Sequence, residues 1–213
     1  MKTEYDLDDD GFTIIRGLMQ LDIVDKYVAW AGPLIGELQK DQQAFQKHAH
    51  VRNILCNQRL LPIMGMDYAL HSCLLRWTHF GLPLHCDTND GEPHLAVWVA
   101  LDNVDIDDGR FMIIPGSHKW DFDRSAANLE PETASISPAV HAVLDEHECH
   151  PEFFTASKGD VLVWNTGTLH GAVRPKNQLA QRKAAIGHYS PAGENVSLFA
   201  SGLYWSTDGM PVE

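Results

Sequence analysis

The chain has 213 residues, 44% hydrophobic and 21% charged, which fits a single globular domain with a core of ordinary size. Sixteen Lys and Arg against 29 Asp and Glu give a net charge of −13, which repels phosphate backbones and argues against nucleic acid as a partner. No window approaches a membrane-length apolar run, the acidic opening lacks the pattern of a secretion leader, and Cys56, Cys73, Cys86 and Cys149 show no paired spacing, so no membrane partner and free thiols in the cytoplasm are expected.

In chain order, Gly11 to Leu18 (GFTIIRGL) reads as a short strand between glycines. Apolar residues then recur with helical period at Val24, Tyr27, Val28, Ala31, Leu34, Ile35 and Leu38, and Pro33 breaks that run into two pieces. A further helical piece is expected around Leu60 to Leu70. From Cys73 the texture changes to short β-rich runs: Cys73 to Phe80, His94 to Leu101, Phe111 to Ile114, Asp160 to Trp164, Lys183 to Tyr189 and Val196 to Trp205. Asp108-Gly109, Pro115-Gly116-Ser117 and Lys158-Gly159-Asp160 punctuate them as turns. Helices first and many strands afterwards predict a mainly β protein with flanking α-helices, an antiparallel jelly roll or barrel. One domain over residues 1–213 is expected, with helical support mostly within 20–72 and a β core over about 73–205. The polar stretch from Trp120 to Pro151 is expected to be partly helical, and is either a pocket lid that sets specificity or a mobile loop.

Three residues in this framework form a metal pattern. His85 and Asp87 flank Cys86, so an extended segment points both at one ion and turns Cys86 away. His170 follows the apolar run Val161-Leu162-Val163-Trp164 and a turn, and precedes a glycine. Two imidazoles and one carboxylate on one face leave open positions, the arrangement that suits non-haem Fe(II). Alone, His-x-Asp is an ordinary solvated turn; the third ligand is what raises it. Arg182 lies twelve residues beyond His170 and shares a period-two face with Ala184, Ile186 and His188. If that face looks inward, Arg182 is a two-pronged donor for a carboxylate; otherwise it is a surface arginine at a strand start, and Lys183 and Arg174 are less well phased rivals. Trp98 shares a face with His94, Ala96 and Ala100 and is either a core aromatic or a pocket residue. His147-Glu148-Cys149-His150 lacks a partner pair at zinc spacing and reads as solvated loop. His118 reads as a turn histidine and His79 as a strand histidine. The sequence holds no nucleophile elbow, phosphate loop or dinucleotide fingerprint.

Four stretches resemble the phytanoyl-CoA dioxygenase (PhyH-like) family of Fe(II)- and 2-oxoglutarate-dependent oxygenases. They are Asp10 to Gly17; His85-Cys86-Asp87; Val97 to Asp102 with Asp108-Gly109 and Pro115 to Lys119; and Lys158-Gly159-Asp160 through His170-Gly171. They run in family order across most of the chain. The resemblance implies a double-stranded β-helix (jelly-roll, cupin-like) core, iron held by His85, Asp87 and His170, Arg182 on the distal carboxylate of 2-oxoglutarate, and Trp98 near that co-substrate. It also implies O2 as oxidant, with succinate and CO2 released as a substrate C–H is hydroxylated. Two departures concern the co-substrate pocket: Ala172 stands where the family often has Ser or Thr, and the His170 to Arg182 spacing is slightly long.

Related halogenases carry Gly or Ala in place of the carboxylate ligand, so Asp87 points to oxygenation. The expected substrate is a small neutral or cationic metabolite. Two other readings stay open on the sequence alone: a non-catalytic β-helix protein that binds a metal or small ligand, and a peptide or protein hydroxylase.

Overall fold

In the main sheet of this protein, known here from a computed structural model, successive side chains face two different apolar layers, and both layers are buried. The structure describes residues 3–64, 68–78, 81–88, 94–127, 137–176, 181–191, 204–206 and 211–212. The strands in chain order are β1 (Thr3–Glu4), β2 (Phe12–Ile15), β3 (Tyr68–Arg76), β4 (Leu82–His85), β5 (Leu95–Ala100), β6 (Phe111–Ile113), β7 (Glu152–Phe154), β8 (Val161–Asn165), β9 (His170–Ala172), β10 (Ala184–Pro191), β11 (Tyr204–Ser206) and β12 (Pro211–Val212). They form a large sheet in the order β1-β2-β8-β5-β10-β3-β11-β12 and a small sheet in the order β4-β9-β6-β7. Every strand pairing is antiparallel. The core is a double-stranded β-helix.

Period-two alternation assigns the layers. Ala96, Trp98 and Ala100 of β5, Leu162 and Trp164 of β8 and Ala184 of β10 face Phe111, Ile113 and Phe154 of the small sheet. The intervening residues Val97, Val99, Val163, Ala185 and Tyr189 pack outward against helices. Those helices are α1 (Leu21–Ala31), α2 (Ile35–Leu38), α3 (Ala44–Lys47), α4 (Ala49–Leu55) and α5 (Leu61–Met64). Val24, Tyr27 and Ala31 form the buried stripe of α1, and Pro33 sits in the 3-10 turn Gly32–Leu34 that separates α1 from α2. The Tyr189 hydroxyl donates to the Leu55 carbonyl and ties α4 to β10.

Strand β3 begins at Tyr68, ahead of the expected Cys73, and the helix expected over Leu60 to Leu70 is only the short α5. Tyr68 to Cys73 are all buried, so this segment shows no polar alternation from which its period could be read. Pairing with β10 on one side and β11 on the other fixes it as strand. Of the run expected over Val196 to Trp205, residues 196–203 lie outside the described residues, and β11 takes up Tyr204–Ser206.

Within the stretch from Trp120 to Pro151, α6 (Pro138–Glu146) is capped by the Ser137 hydroxyl, which accepts from Val140 N. Val140 and Leu144 of α6 pack with Leu84, Cys86, Ile114 and Leu169 on the outer face of the small sheet. Residues 128–136 lie outside the described residues.

The turn Lys158-Gly159-Asp160 pins the N-terminal strand to the core. Gly159 has φ +92, and a Cβ there would meet the Met19 carbonyl at 2.8 Å, so only glycine fits. The Asp160 carboxylate accepts from Gly17 N at 2.7 Å, Ser157 N at 2.9 Å and Arg16 Nη1 at 2.9 Å. Removing it leaves the Gly17 and Ser157 amides without their acceptor and takes one of several anchors from Arg16, which keeps Glu4 and the Thr155 carbonyl. Asp160→Ala is expected to lower unfolding stability by about 2 kcal/mol in urea titration monitored by tryptophan fluorescence; a loss below about 0.5 kcal/mol would mean the turn is held by packing alone.

Candidate metal centre

The two candidate histidines are cross-strand partners. β4 and β9 pair antiparallel with His85 opposite His170, and their ring centroids are 4.4 Å apart. A register shift between Leu82 and His85 marks a bulge in β4. Gly171 lies against that bulge: a Cβ there would come within 2.6 Å of the Leu82 carbonyl and 2.8 Å of the Pro83 carbonyl. The glycine after the histidine is therefore a packing requirement of the bulged pair.

Each imidazole is oriented by its own backbone. His85 Nδ1 is 2.9 Å from the Pro83 carbonyl and His170 Nδ1 is 2.8 Å from the Thr168 carbonyl. A carbonyl only accepts, so both Nδ1 atoms carry hydrogen, and both Nε2 atoms turn toward Asp87. His85 Nε2 is 3.8 Å from Asp87 Oδ1, and His170 Nε2 is 3.4 Å from Asp87 Oδ2. Asp87 leaves β4 after Cys86, whose side chain is buried on the opposite face and donates to the Gly167 carbonyl. The Asp87 amide is anchored on the Thr166 carbonyl at 2.9 Å.

The ligand atoms of His85, Asp87 and His170 lie within 4.8 Å of one another, and among the described residues this is the only group of three or more His, Cys, Asp or Glu placed to hold a metal ion. Burial, with His170 adding to it, pushes His85 down to about 4, so that ring is neutral near pH 7. Burial also disfavours the charged forms of Asp87 and His170, but their mutual attraction and hydrogen bond outweigh it. Asp87 is held well below the usual carboxylate range, helped by His188, and His170 is raised. A divalent cation would take the place of the proton that this pair shares. The donor set, two imidazoles and a carboxylate with fixed tautomers, fits an iron(II) ion.

Aromatic rings wall this centre. Phe111 stacks on His170 at 5.5 Å and 5°, and Trp164 lies 5.1 Å from it. Trp164 Nε1 donates to Asp87 Oδ2 at 3.3 Å, and His188 Nε2 is 3.7 Å from the same oxygen. Sequence reasoning did not single out Trp164 or His188 for this role. Period two placed His188 on the Arg182 face, which was the available signal for it.

Arg182 enters from the start of β10. It is 4% exposed, its Nη1 donates to the Gly109 carbonyl at 2.7 Å, and its guanidinium lies 5.8 Å from the Trp98 ring. Burial pushes it down to about 10, which still leaves it a cation near pH 7. Among the described residues no carboxylate pairs with it, and its Nε has no hydrogen-bond partner. A cavity of about 410 Å³ is lined by Arg182 together with His85, Asp87, His170, Ala172 and His188. Trp98 is 1% exposed and stands beneath Arg182 in the inter-sheet core, not on the cavity wall. The rival cations turn elsewhere: Lys183 Nζ is 3.4 Å from Asp102, and Arg174 is exposed. None of the described residues between 120 and 151 lines the cavity. His147 stacks on Trp120 at 3.9 Å, His118 Nε2 is 3.2 Å from the Asp8 carbonyl, and His79 lies outside the described residues.

The sequence profile described as phytanoyl-CoA dioxygenase (PhyH) matches residues 76–184, just over half of the chain, from the end of β3 to the first residue of β10. No curated protein is similar enough in sequence to count as a relative. Among solved structures, the epimerase SnoN from nogalamycin biosynthesis, in complex with Fe3+, alpha ketoglutarate and nogalamycin RO, superposes with a TM-score of 0.70 at 19% identity over 87% of this chain and 81% of that one. HygX from Streptomyces hygroscopicus with nickel and 2-oxoglutarate bound gives 0.66 at 20% identity over 92% of both chains. EctD from S. alaskensis gives 0.70 at 17% identity over 87% of this chain and 75% of that one. Identities this low establish the common fold; the profile match establishes the family. The chain belongs to the phytanoyl-CoA dioxygenase family of Fe(II)- and 2-oxoglutarate-dependent oxygenases.

Proposed function

We propose that the protein hydroxylates an unactivated C–H bond of a small-molecule metabolite, with 2-oxoglutarate converted to succinate and CO2. The observation that carries this reading is Arg182, a buried cation without a carboxylate partner among the described residues, opening into the same cavity as the three candidate ligands. A buried guanidinium is costly unless an anion neutralises it, and a mobile dicarboxylate does so only while bound. In this reading His85, Asp87 and His170 hold the iron and Arg182 holds the distal carboxylate of 2-oxoglutarate. When bound, the iron would supply the site at which dioxygen is reduced, two electrons coming from the oxidative decarboxylation of 2-oxoglutarate and two from the substrate C–H bond.

The chain's own residues then position and insulate. The carbonyls of Pro83 and Thr168 keep His85 and His170 in one tautomer. Trp164 donates to Asp87 Oδ2, the oxygen that also faces His170 and His188, and so fixes the orientation of the carboxylate that would bind the metal. Trp98 supports the face of Arg182, while Phe111 and Trp164 exclude water beside His170. Asp87 supports oxygenation over halogenation, because the carboxylate occupies the place a halide would need. SnoN is an epimerase and SnoK a carbocyclase on the same fold, so substrate placement beside this centre selects the product formed after C–H cleavage. The four free cysteines and the absence, among the described residues, of a helix long and apolar enough to cross a membrane support a cytoplasmic setting.

Anaerobic addition of Fe(II) and then 2-oxoglutarate should give a weak visible charge-transfer absorption in the wild-type protein and none in His170→Ala. Lack of absorption in the wild type, with no slow succinate formation under oxygen, would favour a protein that binds without turning over. Arg182→Gln should weaken 2-oxoglutarate binding roughly 10- to 100-fold, the worth of a lost charge-assisted pair, with metal affinity retained; titration of that absorption measures both. Trp164→Phe keeps the ring and deletes the N–H, and is expected to lower metal affinity about tenfold, read by competition with a fluorescent chelator. Unchanged affinity would show that the Trp164 hydrogen bond does not orient Asp87.

A further inference from the structure

A second, smaller chamber of about 160 Å³ lies beside the metal centre and shares Leu74, Asp87 and His188 with the larger cavity. Its remaining lining, which includes His71, Ser72, Thr88, His94 and Thr166, does not line the larger cavity. Three imidazoles gather there. His71 and His94 have ring centroids 6.1 Å apart, and His71 lies 6.4 Å from His188 at an interplanar angle of 28°.

The backbone makes this cluster possible. In the β3–β10 pairing His188 is opposite Ser72 and Tyr189 is opposite Leu70, so His71 is the extra residue of a bulge. Regular alternation would send His71 and Ser72 to opposite faces. The bulge instead lets Ser72 Oγ come within 3.4 Å of His188 Nδ1 while the His71 ring stacks on the same histidine. Bulges beside sites re-aim side chains in this way.

The lining is largely polar, and apart from Asp87 and the three imidazoles it carries no ionisable side chain among the described residues. No Lys or Arg lines the chamber among the described residues, so an anion would face the Asp87 carboxylate with no permanent cation beside it. A cation would find only Asp87, whose oxygens are engaged by His85, His170, His188 and Trp164. Hydroxyls and imidazoles both donate and accept: Thr88 and Thr166 share a hydrogen bond at 3.0 Å, and Thr166 lies 3.3 Å from the His94 carbonyl. Burial, with His188 and His94 beside it, pushes His71 down to about 3, which keeps that ring neutral. At roughly 30 Å³ per water, the volume suits a fragment of about five non-hydrogen atoms.

We propose that the His71–His94–His188 chamber is the substrate-recognition subsite, and that it takes an uncharged hydrogen-bonding group of the substrate, a hydroxyl or amide. The proposal rests on the reading of His85, Asp87, His170 and Arg182 as the metal and co-substrate centre, and divides the site into two arms. The Arg182 arm takes the anionic co-substrate; the histidine arm takes the neutral end of the molecule to be oxidised. His71 and His94 are binding residues in this scheme, selected by charge class and not by a single shape.

The test uses the full chain, loaded with Zn2+ as a redox-inert stand-in and with 2-oxoglutarate, and carrying 13C-labelled histidine. Ring Cε1–H signals are followed while four probes of similar size are added separately: acetamide, ethanediol, acetate and ethylammonium. His71 and His94 signals are identified by their loss in His71→Phe and His94→Phe, whose folding is checked by circular dichroism; His71→Gln replaces a variant that fails to fold. Saturable shifts at His71 and His94 are expected with acetamide or ethanediol, with half-saturation at least about fivefold lower than for the charged probes. The His94 response should weaken at least about fivefold in His71→Phe. A preference for acetate or ethylammonium, no response to any probe, or an undiminished His94 response in His71→Phe would overturn the proposal. The same spectra test the underlying reading separately. His85 and His170 should shift on adding Zn2+ and again with 2-oxoglutarate, and their failure to do so would defeat the metal centre whatever the probes do.

Discussion

The site depends on one pairing, the register that sets His85 of β4 opposite His170 of β9. Opposed residues in an antiparallel pair are neighbours in space however far apart they lie in sequence. Here two imidazoles come from segments separated in the chain by several other strands and α6. The same pairing explains the local backbone: the bulge between Leu82 and His85 aims the His85–Asp87 segment inward, and Gly171 leaves room for it. A one-residue slip would turn either histidine to the outer face, where Leu84, Cys86 and Leu169 pack.

Electrostatics divides the interior into two regions of opposite demand. Asp87 is a carboxylate on the cavity wall whose charge is kept by His170 and His188, a pair arrangement that a metal ion can take over. Arg182 is a buried cation supported, among the described residues, by a carbonyl and the face of Trp98. A chain of net charge −13 repels anions at long range, so in the proposed reading one desolvated guanidinium inside a cavity gives a dicarboxylate a place to bind. Its strength comes from the low local dielectric, which surface lysines do not share.

Both departures from regular strand geometry near the site serve the same end. The β4 bulge directs two candidate ligands, and the β3 bulge brings His71 and Ser72 onto one face beside His188. The rigid sheets around them are apolar on both faces, and their buried layers hold these irregular points in place.

Residue type and spacing alone determined the β-rich core after an N-terminal helical region, the break at Pro33, the His85-x-Asp87 pair with His170, and the shared phase of Arg182, Ile186 and His188. These were legible because alternation and helical period are local properties of the chain. Tyr68 to Ser72 were not, since a strand buried on both faces has no alternation to read and its state was decided by β10 and β11. The choice among Arg182, Lys183 and Arg174, the placement of Trp98 behind Arg182, and the roles of Trp164 and His71 also needed the tertiary structure. Each depends on which face of which sheet closes the cavity, and His71 depends on a bulge created by pairing with a strand more than a hundred residues away. Sequence supplied the donor atoms and their phase; register and bulges, which arise only when distant strands pair, decided which of them meet.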